Sequence, residues 1–267
     1  MKKLIFFLTA SILISACTTK TIEKEKTCCA KTSNDFMTLA ILYHQKAAEV
    51  KAIYYQTFNL ATLMFEKDLL NKQINKKRAV VVDIDETILD NSPYEAQCVL
   101  ANISYPEKWN EWVNKSLAEA IPGAVEFLKY VVEKKADVFY VTNRKETFRD
   151  ATIKNLKEKG FPLADNSHLL MKTDSSNKEI YRNSISKTHH ICLLIGDNLS
   201  DFSTIFDKKT LEIRSYRTDS LKNEFGNRFI ILPNAMYGDW EMAVYLNNSN
   251  LTETDKDSIR KANLKGF

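Results

Sequence analysis

Three acidic side chains fall within four residues in Asp83-Ile84-Asp85-Glu86-Thr87, directly after the apolar run Val80-Val81-Val82. In a partly desolvated crevice such carboxylates repel one another unless a cation joins them. A structural turn has little use for that repulsion. Farther along, Thr142-Asn143-Arg144 offers a hydroxyl, an amide and a guanidinium, and Lys178 offers an ammonium. Gly196-Asp197-Asn198-Leu199-Ser200-Asp201 brings a second acidic group. A hard divalent cation such as Mg2+ takes one or two carboxylates together with carbonyl, water and substrate phosphate oxygens. Asp83 and Asp197 can supply those carboxylates. The Thr142 hydroxyl and the Lys178 ammonium supply the donor and the compensating charge that a phosphoryl group needs. The combination points to phosphoryl transfer through an aspartyl-phosphate.

These groups can act together only if a fold brings them to one edge. Ala79–Ile84 is a short β-branched run with no polar alternation, as in a parallel strand buried on both faces. Val138–Val141, His168–Met171, Ile191–Ile195 and Phe229–Leu232 share that character. Between them lie the helical stretches Val125–Lys134, Glu146–Lys159, Lys178–Ser186 and Asp201–Phe206. The alternation predicts an α/β fold with a doubly wound parallel sheet. Ligands of such sheets sit beyond the carboxyl ends of the strands, where every candidate group falls. Upstream, Phe36, Leu39, Tyr43, Ala47, Val50, Tyr54, Phe58, Ala61 and Phe65 recur at helical spacing. They predict one long or two shorter amphipathic helices within residues 34–72, N-capped by Ser33, with the aromatic stripe as core packing.

The chain has 267 residues, 44% apolar and 27% charged, enough for a large core and unlike disordered or low-complexity chains. Its formal charge of +4 includes Lys2 and Lys3 of an expected leader; without them 36 basic side chains face 34 acidic ones. That balance is too even for a nucleic-acid binder. Met1-Lys2-Lys3 precedes an apolar run, Leu4–Ala16, that is too short to span a bilayer but suits a secretory signal. Its end, Leu13-Ile14-Ser15-Ala16-Cys17, resembles a bacterial lipobox. The expectation is a signal peptide over 1–16, lipidation of Cys17 and a polar tether over 17–33. Acyl chains at ~0.8 kcal/mol per buried CH2 would then anchor the protein. Thr18, standing where an Asp would favour inner-membrane retention, points to the outer membrane. Of the other cysteines, Cys28 and Cys29 fall in the tether, while Cys98 and Cys192 lie far apart. None has zinc or redox spacing, and Cys192 reads as core. His44, His168, His189 and His190 show no metal or nucleophile spacing and read as structural. Arg144 is left outside the site.

The order DIDET…T…K…GDNLSD resembles the four-motif site of the haloacid dehalogenase (HAD) superfamily. More narrowly, the blocks from Val81 to Tyr94 and from Gly196 to Phe202 resemble class C acid phosphatases, whose best-known members are outer-membrane lipoprotein 5'-nucleotidases. The likeness runs from Tyr55-Gln56 to the segment Leu232–Glu241. It implies that Asp83 is nucleophile and metal ligand, and that Asp85 is general acid and base and lends its backbone carbonyl to the metal. It implies further that Asp197 completes the ligands of Mg2+ and that Asp201 holds the surrounding charges. Thr142, Asn143 and Lys178 would bind phosphate, and Trp109 and Tyr237 would sandwich a substrate ring. The interval from Lys178 to Asp197 is slightly shorter than the family pattern. The expected organisation is N-terminal helices over 34–77 and a phosphatase core over 78–267. An insertion at about 94–121 forms a small helical cap together with those helices. The resemblance suggests hydrolysis of nucleoside monophosphates or nicotinamide mononucleotide, and a homodimer. The alternatives are a phosphomonoesterase without nucleotide preference and a non-catalytic lipoprotein that binds haem or a partner, although no axial His or Met stands out.

Overall fold

The protein is described here by a computed structural model, over residues 35–173 and 176–267. The leader, Cys17, the tether cysteines and Ser33 lie outside the described residues. Five parallel strands form the sheet: β1 (Lys77–Val82), β4 (Asp137–Lys145), β5 (Leu169–Lys172), β6 (His189–Gly196) and β7 (Phe229–Ile231). Their order is β5-β4-β1-β6-β7. β1 therefore has a neighbour on each side, and the winding reverses between β1 and β6. Such a reversal opens a crevice at the carboxyl ends of the two strands.

Burial on both faces explains the unbroken apolar runs. Val80 and Val82 join Val138, Tyr140, Ile195 and Ile230 in the larger core, whereas Ala79 and Val81 join Val141, Ile191, Leu194 and Phe229 in the smaller one. Each buried valine contributes roughly 1.5–3 kcal/mol of transfer free energy. β6 departs from strict alternation because its pairing with β1 shifts between Ala79 and Val80, which puts both Cys192 and Leu193 in the larger core. The helices α5 (Ala124–Glu133) and α6 (Arg149–Glu158) cover the larger core through Phe127, Leu128 and Leu156. Ile185 of α7 (Glu179–Thr188) covers the smaller one.

The N-terminal region is two helices, α1 (Thr38–Lys46) and α2 (Ala48–Leu69), which part at an extended Ala47. They do different jobs. α2 lays Val50, Tyr54, Phe58, Ala61 and Phe65 into the larger core. Gly123 lets it approach closely, because a Cβ there would stand 3.2 Å from Phe58 Cβ at φ +89°. Ile41 of α1, with Met37 just before the helix, packs against Met236, Ala96 and Val99. Ala96 and Val99 belong to α3 (Ser92–Ala101), the first helix of the insertion; the second is α4 (Trp109–Lys115). A small antiparallel ribbon, β2 (Leu89–Asp90) with β3 (Glu119–Ala120), closes the insertion at its base.

The stretch Asp201–Phe206 is not the expected helix. It holds two single 3-10 turns, Leu199–Asp201 and Thr204–Phe206, because Ser203 is extended and caps the second. Three further helices, α8 (Leu211–Ser220), α9 (Asp239–Val244) and α10 (Glu253–Ala262), complete the chain. No described helix is long and apolar enough to cross a membrane.

Candidate active site

β1 stops at Val82, but Asp83 still donates its N–H to Ile195 O at 2.9 Å, so the sheet itself aims the acidic loop. β6 stops at Gly196, one residue before Asp197. Asp83, Asp197 and Asp201 come together there, with carboxylate oxygens within 4.8 Å of one another. Lys178, the residue before α7, is buried and donates to both Asp83 and Asp201, the latter at 2.7 Å. Asp201 also accepts from Asn198 N at 2.9 Å. Gly196 is required beside it, because an added Cβ would stand 2.3 Å from Asp201 Oδ2. Asp197 is held by neutral groups, Asn234 Nδ2 at 2.8 Å and the Thr87 hydroxyl at 3.3 Å.

Lys178 thus bonds two of the three carboxylates, and Asp197 rests on neutral donors. Burial pushes the Asp83 carboxyl up to about 7, against the pull of Lys178 and with help from Asp201 and Asp85. Burial, Asp201 and Asp83 push Asp197 well above the ordinary carboxylate range. Burial would lower Lys178, but Asp201 and Asp83 overcome it and hold the ammonium above its usual value. Carboxylates that resist ionisation chiefly because they are buried, and an all-oxygen donor set, fit a hard divalent cation. Asp83 and Asp197 are the groups that would hold it.

Asp85 points elsewhere. Its carboxylate accepts from Arg144 Nη2 at 2.8 Å and from Asn91 Nδ2 at 2.7 Å. Asn91 in turn accepts from Trp112 Nε1 at 2.8 Å, and its backbone N–H donates to Glu86 Oε1 at 2.8 Å. Glu86 is buried in the left-handed region at φ 55°, a strained backbone for a non-glycine residue. Thr142 is buried near the end of β4, and its oxygen accepts from Arg144 N at 3.0 Å, which leaves its proton free to donate. Asn143, between them, is exposed.

The two expected stacking residues are tied to different ends of the centre. Trp109 opens α4, with the Tyr94 ring edge-on at 4.9 Å and the Arg144 guanidinium 5.8 Å from its ring. Tyr237 packs with Met37, Ile41 and Met236, and its N–H donates to Asn234 Oδ1 at 3.4 Å. The sequence reading missed Arg144, Asn91, Thr87 and Asn234. Arg144 had a signal, since it stands two residues from Thr142 at a strand end. His44, read as structural, links Tyr54 Oη at 3.0 Å to Ala235 N at 3.2 Å and so braces the loop that carries Asn234.

Comparison with known proteins follows this geometry. The sequence model of the HAD superfamily, subfamily IIIB (Acid phosphatase), matches residues 2–240. The chain belongs to this family. A crystal structure of class C acid phosphatase from Bacillus anthracis with tungstate bound superposes with a TM-score of 0.86 at 45% identity. The match covers 89% of this chain and 99% of that one. A second structure of that protein gives the same TM-score and identity, over 88% and 99%. Acid phosphatase 1 of Solanum lycopersicum is 29% identical over 82 residues; the match spans 30% of this chain and 32% of the tomato protein. The fold is thus that of class C acid phosphatases, phosphomonoesterases that carry a mostly parallel sheet flanked by helices.

Proposed function

We propose that the protein is a Mg2+-dependent acid phosphatase that hydrolyses nucleoside 5'-monophosphates through a phosphoaspartate on Asp83. One observation carries this reading: Asp83, Asp197 and Asp201 converge at the switch point of the sheet with Lys178 bonded between two of them. An Asp83 oxygen forms the bond to phosphorus as the ester P–O bond breaks. Lys178 and Thr142 bind the phosphoryl oxygens, and Asp85 gives a proton to the departing oxygen. Water then attacks the phosphoaspartate while Asp85 takes up its proton, which returns both aspartates to their starting state. A divalent ion held by Asp83 and Asp197 would offset charge on the phosphoryl oxygens. Asp201 keeps Lys178 in place.

The preference for nucleotides is supported by the aromatic groups that border the centre. Trp109 on the cap, backed edge-on by the buried Tyr94, and Tyr237 after Asn234 offer flat apolar faces to a base or a nicotinamide ring. The lipobox sequence supports a lipid anchor at Cys17 and an outer-membrane address, and the family resemblance supports a homodimer. Asp83→Asn is expected to lower phosphate release from adenosine monophosphate by about 10^4-fold or more with the fold intact by circular dichroism. EDTA should abolish turnover and Mg2+ restore it. Near-normal hydrolysis by the Asp83 variant overturns the reading. Equal rates with nucleotides and sugar phosphates would overturn the nucleotide preference alone.

A further inference from the structure

We propose that Arg144 is the positioning residue for Asp85, and that it selects the carboxylate oxygen that carries the proton. The proposal rests on the reading of Asp85 as proton donor.

The backbone of β4 is shaped for this. It pairs with β5 up to Thr142 opposite Met171, then shifts register before Lys145 meets Lys172. Irregularities of this kind re-aim side chains at sheet rims. Here the shift brings Arg144 inward, with its side chain 1% exposed. A buried guanidinium needs partners for its donors, and this one has them. Nε donates to Asp85 Oδ1 at 3.0 Å and to Oδ2 at 3.2 Å, and Nη2 donates to Oδ1 at 2.8 Å. Nη1 reaches the Thr152 hydroxyl at 3.3 Å, which fixes the far side of the fork.

The two Asp85 oxygens are therefore unlike. Oδ1 receives Arg144 Nε and Nη2 together with Asn91 Nδ2. The orientation of that amide is settled by Trp112: an indole nitrogen can only donate, so the Asn91 oxygen faces it and the Asn91 amino group faces Asp85. Oδ2 receives one long contact, from Arg144 Nε. Oδ2 is thus the oxygen with room for a proton and a substrate oxygen. In the first step it gives that proton to the leaving oxygen as the ester P–O bond breaks and Asp83 bonds to phosphorus. In the second it takes a proton from the attacking water. A planar fork fixes the plane of the carboxylate as an ammonium cannot. The same guanidinium lies within cation–π range of Trp109, so the cap ring and the proton donor share one positioning group.

The test compares kcat/KM for two esters, because this ratio covers only steps up to departure of the leaving group. An alkyl phosphate, such as adenosine monophosphate, needs a proton on its leaving oxygen. An activated aryl phosphate, such as p-nitrophenyl phosphate, does not. General acid catalysis supplies about 10^2–10^4-fold. Arg144→Met is expected to lower the alkyl ratio by ~10^2-fold or more and the aryl ratio by less than ~10-fold. Arg144→Lys should show the same bias with a smaller loss, and it carries the comparison if the Met variant melts early. Adding Arg144→Met to Asp85→Asn should cost the alkyl ester little more, since the two groups act as a unit. Equal losses on both esters, or full additivity with Asp85→Asn, overturn the proposal while leaving the phosphatase reading intact. A wild-type protein that cleaves neither ester overturns both.

Discussion

β1 and β6 lie side by side, and their two ends treat charge in opposite ways. At the amino end, acids and bases are matched. Asp68 takes Arg78 Nε at 2.5 Å and His190 Nε2 at 2.7 Å, and Asp137 takes Lys77 Nζ at 2.6 Å and His189 Nε2 at 2.9 Å. At the carboxyl end, Asp83 and Asp201 share Lys178, and Asp197 rests on an amide and a hydroxyl. One end is neutralised by the protein itself. The other leaves a deficit of positive charge for a ligand to fill. Concavity alone points to the opposite end: a groove of about 880 Å3 lies at the amino end, beside Met64, Asp68, His190 and Cys192. The cavity beside Asp83, Lys178 and Asp201 holds about 10 Å3. Charge imbalance, not volume, points to the proposed centre.

The largest effect should come from removing the one ammonium of the unbalanced end. Lys178→Met is expected to cost about 3–5 kcal/mol at pH 8 without divalent ions, because it strands buried carboxylates. The cost should shrink at pH 5, where the Asp83 carboxyl, pushed up to about 7, takes up a proton. Urea denaturation at the two pH values measures it, and a loss that does not change with pH would break the comparison.

A smaller effect is expected at Glu95, which lies near Glu86 and Glu241 on the acid-rich side. Burial, reinforced by Glu241, pushes its carboxyl up to about 7. Its proton is therefore held more tightly in the folded chain than in the unfolded one. Stability linked to this group is complete in acid and is lost as pH rises through about 7. Glu95→Gln should raise stability by on the order of 1–3 kcal/mol at pH 8 and change little at pH 4. A thermal melt at each pH would show it.

The smallest effect belongs to the balanced end, and its sign is opposite. Burial would raise the Asp137 carboxyl, but hydrogen bonds from Lys77 and His189 outweigh it and hold it below its ordinary value. Its contribution is present above the unfolded carboxylate value and is lost as pH falls through the lower folded one. Asp137→Asn should cost less than about 1 kcal/mol at pH 7, since Lys77 is half exposed. The wild-type advantage should fade as pH drops below the ordinary carboxylate range, which a pH series of melts would detect.

Much of this was readable in the sequence for one reason. Strands buried on both faces leave uninterrupted apolar runs, and Asp83, Asp85 and Asp197 stand where those runs stop. The acids are conspicuous because they end uninterrupted apolar runs. What stayed hidden depends on irregular backbone. The ribbon of Leu89–Asp90 with Glu119–Ala120 is too short to leave a period. The division at Ala47 involves neither glycine nor proline. Leu211–Ser220 and Glu253–Ala262 are mostly polar helices with little or no apolar stripe. Arg144 was visible as a residue but not as a partner of Asp85, because a shift in strand register turns it inward. Asn234 bonds Asp197 across 37 positions of chain, a distance that no local pattern spans.

The short ribbon of β2 and β3 has an evolutionary corollary. Everything between Ser92 and Ala118 enters and leaves through one narrow stem, so it can be exchanged like a cassette without moving Asp83. Its packing limits that freedom: α3 lies against α1, Val113 enters the larger core, and Ser116 donates to Ala151 O. Trp112 holds the Asn91 amide, and Trp109 lies against Arg144. A replacement segment that omits both tryptophans would keep Asp83 and Asp85 but lose the indole that orients the Asn91 amide toward Asp85.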